Sequence, residues 1–207
     1  MTLHNDPLAA LGVSRETIQR LEALVALMGK WNPAINLVSK STLADAWSRH
    51  ILDSAQIYRL APPGPLHWAD LGSGGGFPGL VVAVLGAELQ PGSRFTLVDS
   101  DQRKATFLRQ SCQTLGLKAQ VLAERIDAIA PLNADVLSAR ALAPLTLLCG
   151  FAQRHLSARG TALFMKGASH ASELAEARGQ WAFEVDIHPS VTEAGAVILQ
   201  LKGLPHG

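Results

Sequence analysis

No metal site can be assembled from this sequence by a familiar spacing. Its seven histidines are scattered without an H-x-x-H or H-E-x-x-H pattern, and its two cysteines, Cys112 and Cys149, stand far apart. Both cysteines read as reduced core residues of a cytoplasmic protein. Charge is scarce as well. Charged residues are 17% of the chain and the net charge is +1, which excludes a strong overall basic field, so any nucleic-acid partner is held by a local patch. Aromatic residues are 5%, too few to favour a closed, aromatic-lined pocket for a small molecule. No apolar run reaches the roughly 20 residues of a membrane helix. The opening MTLHNDPLAAL has no basic region leading into an apolar core, so no secretion signal is expected. What the chain has in quantity is apolar residues, 48% of 207. That is enough for one well-buried domain with an elaboration.

The rest is organised around residues 66–79, LHWADLGSGGGFPG. An apolar strand over 66–71 stops at a loop in which Gly72, Gly74 and Gly76 alternate with other residues, and Pro78 suits the first turn of a following helix. Glycines there allow φ > 0 and let a ligand approach the backbone closely, with N–H groups at the helix start facing it. Such a strand–loop–helix unit is where a nucleotide-like ligand sits in an open α/β sheet. The dinucleotide spacing G-x-G-x-x-G fails, because Phe77 stands at the third glycine. The pattern Asp70-x-Gly72-x-Gly74-x-Gly76 instead resembles the first motif of class I S-adenosylmethionine (SAM) methyltransferases, with Asp70 suited to a cationic ligand. A second apolar strand, FTLVD, ends at Asp99. A carboxylate there can accept both ribose hydroxyls, which supports a nucleoside without separating SAM from NAD. Asp101 is the better-placed cap for the helix that follows.

Ser14 caps a predicted helix over 14–30, with Ile18, Leu21, Leu24, Val25 and Met28 on one face, ended by Trp31-Asn32-Pro33. A second helix around 47–54 makes Arg49 and Asp53 i, i+4 neighbours. Pro62-Pro63-Gly64-Pro65 is a stiff connector, dividing an N-terminal helical cap (1–64) from a SAM-binding methyltransferase domain (65–207). Strands follow over 92–98, 119–123, 134–139 and 160–166, with helices over 79–86, 101–115, 144–156 and 169–178. Two strands of opposite direction, 181–188 and 196–202, close the chain around a turn at 193–195. The expected fold is α/β, Rossmann-like: a mostly parallel seven-stranded sheet with an antiparallel C-terminal strand.

Trp31-Asn32…Asn36-Leu37, Arg49-His50-Ile51-Leu52-Asp53-Ser54 and the run from Asp70 to Gly79 together resemble the RsmG/GidB family. Val98-Asp99-Ser100…Lys104…Phe107-Leu108, Ala139-Arg140-Ala141 and Lys166-Gly167 extend the resemblance from about Leu21 to Lys202. Members are bacterial methyltransferases of small-subunit ribosomal RNA, acting on guanine N7 in the 530-loop region. The resemblance implies SAM as cofactor, with contacts at Gly72, Phe77, Ile126, Asp127 and Arg140 and a ribose contact at Asp99, beside the loop residues Asp70 and Gly74. It implies 16S ribosomal RNA or the 30S particle as partner; a monomer is the default expectation, and the scattered histidines lead to no expected metal. Gly75 stands where alanine is common, and Asp127 where glutamate is.

Guanine N7 carries a free lone pair and no proton, so methylation there needs in-line positioning more than a base. The sequence agrees. It lacks an N-P-P-Y type element after the fourth strand, which amino-group methylation would suggest, and has no P-C dipeptide for covalent pyrimidine chemistry. Arg140 is expected to position cofactor or guanine, its alternative being an ion pair with Asp135. His50 is read as lining the cleft with Arg49 and Asn36, or bonding within the cap, rather than as a general base. Arg49, Arg103, Lys104, Arg109, Arg125 and Lys166 are the candidate phosphate contacts. A small-molecule methyltransferase and a non-catalytic SAM- or nucleotide-binding protein stay open as alternatives.

Overall fold

The computed structural model describes residues 6–204. Residues 1–5, part of the stretch read above for a secretion signal, lie outside the described residues. No described helix is long and apolar enough to cross a membrane.

Two helices lead in, α1 (Pro7–Leu11) and α2 (Arg15–Ile35). Ser14 caps α2, its Oγ accepting from the Thr17 N–H. Leu21, Leu24 and Met28 are buried along one face, as their spacing requires. The helix does not end at residue 31. It runs through Pro33 to Ile35 and closes on Asn36 in the left-handed conformation, φ 50°. Pro33 gives up one intrahelical bond. In return, buried Asn32 takes the Asn36 N–H on its carbonyl and the Val38 N–H on its side-chain oxygen, which turns the chain out of the helix. A short helix α3 (Lys40–Leu43) follows.

Residues 47–60 form one helical run, α4, of changing pitch. Trp47–Leu52 is π-helical, Asp53–Ala55 a single α turn and Gln56–Leu60 a 3₁₀ turn. The wide opening turn removes the expected Arg49–Asp53 pair. The Asp53 N–H reaches back to the Ser48 carbonyl, and the two side chains find different partners.

The sheet comprises β1 (His67–Leu71), β2 (Arg94–Val98), β3 (Ala119–Leu122), β4 (Ala134–Arg140), β5 (Leu156–Lys166), β6 (Glu184–Pro189) and β7 (Val197–Lys202). Its order is β3-β2-β1-β4-β5-β7-β6. All pairings are parallel except β5–β7 and β6–β7. This is the seven-stranded sheet expected from the sequence, with the antiparallel strand β7 inserted beside β5. Helices α5 (Gly79–Leu89), α6 (Gln102–Thr114), α7 (Leu145–His155) and α8 (His170–Arg178) cover its faces. β5 begins four residues earlier than expected, because a register shift between Ala134 and Val136 lets Leu156 pair before the main ladder starts. Gly160 sits at that shift, where an added Cβ would lie 2.8 Å from the Ala134 carbonyl oxygen.

One buried cluster joins Leu21, Leu24 and Met28 of α2 to Trp68, Leu80 and Val84 on one face of the sheet. A second lies on the opposite face around Leu137, Cys149 and Phe164. Cys112 and Cys149 are both buried and free.

Candidate functional site

The strand order reverses between β1 and β4, and a crevice opens beyond the carboxyl ends there. One rung of the sheet sets it out. Leu71 pairs with Val98 on one side and Ala139 on the other. The residues that come next, Gly72, Asp99 and Arg140, therefore stand at the same height, Arg140 as the last residue of β4 and the other two just beyond their strands. Val98 in turn pairs with Leu122, which puts the loop after β3 on that edge too.

Two clefts meet at this edge. The first, about 520 Å³, is lined by Gly72, Gly74, Phe77, Asp99, Lys104, Ile126, Asp127 and Arg140 among others. The second, about 560 Å³, is lined by Arg49, His50, Asp53, Arg140, Lys166 and Glu193 among others. Leu37, Val38, Arg140 and Ala141 belong to both. Ala141 is a non-glycine residue at φ 51° on the ridge between them, a conformation that concentrates at functional positions. The sequence placed Ala141 in the Ala139-Arg140-Ala141 motif, without marking this backbone conformation.

The glycine loop is built by close approach. Gly72 (φ 64°) favours glycine through its backbone, and an added Cβ would lie 2.5 Å from Leu142 Cδ1, displacing that side chain. Gly74 (φ 53°) needs glycine for its backbone alone, since its nearest protein atom would be 3.7 Å from an added Cβ. Gly75 backs onto the Leu37 carbonyl, 3.1 Å from where an alanine methyl would sit. Asp99 holds the loop from the neighbouring strand. Its Oδ2 accepts the Gly74 N–H at 2.8 Å and its Oδ1 the Asp101 N–H at 2.9 Å. Each oxygen keeps a second lone pair for ligand hydroxyls. Asp101 caps α6, accepting from the Arg103 and Lys104 N–H groups.

Asp70 is corrected. It lines neither cleft and is fully buried beneath the loop. Its Oδ2 accepts the Gly79 N–H at the start of α5, and its Oδ1 accepts Ser138 Oγ at 2.6 Å. Ser138 itself accepts Trp68 Nε1–H. Burial pushes the carboxyl up to about 6 against the pull of the Ser138, Ser73 and Gly79 hydrogen bonds. It braces the loop and α5 rather than facing a ligand.

Arg140 does not pair with Asp135. The two residues stand on opposite faces of β4, since side chains alternate along a strand, and Asp135 accepts the His67 N–H instead. The Arg140 guanidinium reaches α4. Nη1 bonds the Asp53 carboxylate at 3.2 Å and the Arg49 carbonyl at 3.1 Å, and Nη2 bonds His50 Nδ1 at 3.1 Å. Its carbon lies 5.5 Å from the centre of the Phe77 ring, on which His50 also stacks at 4.9 Å.

A guanidinium only donates, so His50 Nδ1 accepts and Nε2 carries the proton. That proton goes to Thr42 Oγ1 at 3.1 Å, whose own proton goes to the Ser39 carbonyl. Burial, then the Arg140 and Arg49 charges, bring His50 down to about 4. Its lone pair is engaged, and it offers no free base at neutral pH.

Lys166 is corrected too. It lines the second cleft, yet its side chain is only 12% exposed and ion-paired to Glu173 at 2.6 Å, with a further bond to the Ala143 carbonyl at 3.0 Å. Glu173 also accepts the Leu145 N–H and Ser169 Oγ. Burial alone would raise the Glu173 carboxyl, but the Lys166, Leu145 and Ser169 hydrogen bonds outweigh it and hold it below the usual range. The pair pins both ends of the Ala143–Leu145 turn, so Lys166 is not a free phosphate contact.

Asn36 lies outside both clefts, its backbone closing α2 and its side chain exposed. Arg103 is exposed, away from both clefts, and close to Asp101. Arg49 faces the second cleft with a 3.4 Å contact to Glu193. Arg125 and Asp127 form an exposed two-point pair at the rim of the first. Ser138, Thr42, Glu173 and Thr192 escaped the sequence reading; Thr192 Oγ1 donates to Asp53 Oδ1 at 2.6 Å from the β6–β7 loop. None has a local sequence signature. Among the described residues no group of three or more His, Cys, Asp or Glu is arranged to hold a metal ion.

Solved structures with a related fold include a ribosomal protein L11 methylase from Lactobacillus delbrueckii, with TM-score 0.62 and 17% identity over 76% of this chain and 79% of that one. A SAM-dependent methyltransferase from Aquifex aeolicus aligns with TM-score 0.57 and 10% identity over 77% and 92%. Both likenesses establish the class I methyltransferase fold. Sequence similarity goes further. The chain is 55% identical over 194 residues to the ribosomal RNA small subunit methyltransferase G of Ruegeria pomeroyi, covering 94% of this chain and 95% of that one. The family model for rRNA small subunit methyltransferase G matches residues 17–201. The chain belongs to the GidB family of small-subunit ribosomal RNA methyltransferases.

Proposed function

We propose that this protein transfers a methyl group from SAM to N7 of a guanine in the 530-loop region of 16S ribosomal RNA. The observation that carries this reading is the meeting of two clefts at Arg140 and Ala141. One cleft has the glycine loop and a strand-end carboxylate suited to a nucleoside, and the other is rimmed by Arg49 and polar groups.

SAM, when bound, supplies an electrophilic methyl on a sulfonium. In this reading the backbone of Gly72 and Gly74 lies against it, Asp99 accepts the ribose hydroxyls, and Ile126 and Asp127 flank the adenine. Asp99 fits that task because each of its oxygens retains a lone pair. The target guanine enters the second cleft, so that N7 approaches across the ridge. Arg140 is held by Asp53, His50 and the Arg49 carbonyl, and this fixes the ridge. An arginine bonding N7 would block the lone pair that must attack, so Arg140 serves guanine O6 or a phosphate. N7 has no proton to lose, and the engaged lone pair of His50 matches a reaction that needs no general base.

Isotopic methyl transfer from SAM tests this, with 30S particles and naked 16S RNA from cells lacking the protein as substrates. N7-methylguanosine in the digested product is the expected result, and the better substrate identifies the RNA state. A different methylated nucleoside overturns the N7 assignment. SAM binding without any RNA product moves the weight to a small-molecule methyltransferase or a non-catalytic binder.

A further inference from the structure

Helix α7 ends in Arg154 and His155, and both side chains turn onto the loop between β3 and β4. His155 is completely buried, with Nε2 2.9 Å from the Ile126 carbonyl oxygen. A carbonyl only accepts, so Nε2 carries the proton. Nδ1 is buried with no partner among the described residues. Burial, only partly offset by the Ile126 bond, holds the imidazole below its usual pKa, and the Arg154 charge lowers it further. His155 is thus a neutral donor with one used and one wasted nitrogen. A buried polar atom left unpaired is costly, and an apolar ring would fill this space without that cost. What the histidine gains is the Ile126 carbonyl.

That carbonyl is one of three. Arg154 Nη2 lies 2.8 Å from the Ile129 carbonyl, and Gln102 Nε2 of α6 lies 3.0 Å from that of Ala123. Side chains of two helices thereby hold the loop at every third residue. At and beside the middle held point, Glu124, Arg125, Ile126 and Asp127 line the first cleft. Within the loop the backbone makes a single turn bond of its own, from the Ala128 N–H to the Arg125 carbonyl. The loop's shape is set from the helices beneath it.

We propose that His155 is a positioning residue for the cofactor. By bonding the Ile126 carbonyl, with Arg154 as its neighbour on Ile129, it sets the wall that receives the adenine end of SAM. This rests on reading the first cleft as the nucleoside site. His155 touches no substrate. Its effect belongs in cofactor affinity and not in the chemical step.

The test compares the wild type with His155→Phe, which keeps a ring in the space and removes the donor, and His155→Gln, whose amide nitrogen reaches a similar point. Arg154→Met is the partner variant, outside the buried core. Calorimetry measures binding of S-adenosylhomocysteine and of adenosine, and steady-state assays with 30S particles separate KM for SAM from kcat. Expected are a roughly tenfold weaker affinity in His155→Phe, the same factor for both ligands, a kcat within about twofold, and recovery to within about threefold in His155→Gln. Arg154→Met should show the same split at smaller size. Unchanged affinity in both His155→Phe and Arg154→Met overturns the proposal, as does a loss of kcat at unchanged KM. Should His155→Phe fail to fold, Arg154→Met decides alone. A wild type that binds neither ligand overturns the reading of the first cleft and the positioning role together, whereas wild-type binding with indifferent variants removes only the role of His155.

Discussion

Asp53 uses its two carboxylate oxygens on different parts of the molecule: Oδ2 receives Arg140 from the end of β4, and Oδ1 receives Thr192 from the β6–β7 loop and Gln56 from its own helix. Gln56 ties the same loop again, through Ser190 and the Val191 N–H. One carboxylate thus links the ridge between the clefts to the rim of the second. Arg140→Ala should lower kcat on the order of 10²-fold with the fold intact. Asp53→Asn keeps a polar group for Thr192 and loses the charge facing Arg140. It should lower kcat less and cost about 1 kcal/mol of stability. The two effects should be less than additive. A double-mutant cycle on kcat that closes within about 0.5 kcal/mol of additivity would show that the two residues act separately.

Two buried groups give opposite pH signatures. His50 falls from 6.5 to about 4 on folding, so the native state holds fewer protons than the unfolded chain between those values. Its contribution to stability is present above 6.5 and lost as pH falls towards 4. Asp70 rises from 3.8 to about 6. Its contribution is present below 3.8 and lost as pH rises through 6. Calorimetric scans at pH 7.5, 6 and 4.5 separate them. The gap in Tm between wild type and His50→Gln should narrow as pH falls, and the gap between wild type and Asp70→Asn should move the other way. Parallel curves for His50→Gln would mean that the ring is not held neutral by its surroundings.

How far these groups could be read from the sequence depends on how local their partners are. The glycine loop, the Ser14 and Asp101 caps and the strand ends at Asp99 and Arg140 are encoded within a few residues, and the sheet followed from them. Asp70 stands at the right strand end, but which way its side chain points is set by Ser138, sixty-eight residues away. Lys166 looked like a free cation for the same reason, because Glu173 lies a turn into the next helix. The π-helical turn at Trp47–Leu52 hid the partner of Asp53: an i, i+4 pairing assumes a regular α-helix, and this segment is not one. His155 carries no signal at all, since its role exists only where the end of α7 meets the β3–β4 loop.

The pairing of Lys166 makes a prediction about RNA binding. A lysine that neutralises a phosphate contributes about one unit to the salt slope of binding. Lys166→Met should leave that slope unchanged while destabilising the fold by about 1 kcal/mol, because Glu173, only partly buried, loses its cation but keeps the Leu145 and Ser169 hydrogen bonds. Glu173→Gln should be milder, since it still accepts from Leu145 N–H. Arg49→Gln and Lys104→Gln, on cationic groups lining the clefts, should each reduce the slope by about one. Filter binding of 16S RNA from 50 to 200 mM salt checks all four variants. A reduced slope for Lys166→Met would return it to the RNA surface.

Gly74 and Gly79 separate the two duties of the glycine run. A Cβ on Gly79 would lie 2.5 Å from Asp70 Oδ2 and 2.4 Å from Leu97 Cδ2, deep in the core. Gly79→Ala must push α5 off the sheet or break the Asp70 bond to its first N–H, and a loss of about 1–3 kcal/mol follows. Gly74 has no such neighbour. Gly74→Asp meets mainly the backbone penalty of φ 53°, about 1 kcal/mol, and sets a carboxylate beside Asp99 at the mouth of the first cleft. It should fold and lose S-adenosylhomocysteine binding, whereas Gly79→Ala should keep affinity in whatever fraction remains folded. Thermal scans paired with calorimetric titration of each variant give the answer. If Gly74→Asp bound the ligand with wild-type affinity, the cofactor would have to lie elsewhere than over the glycine loop.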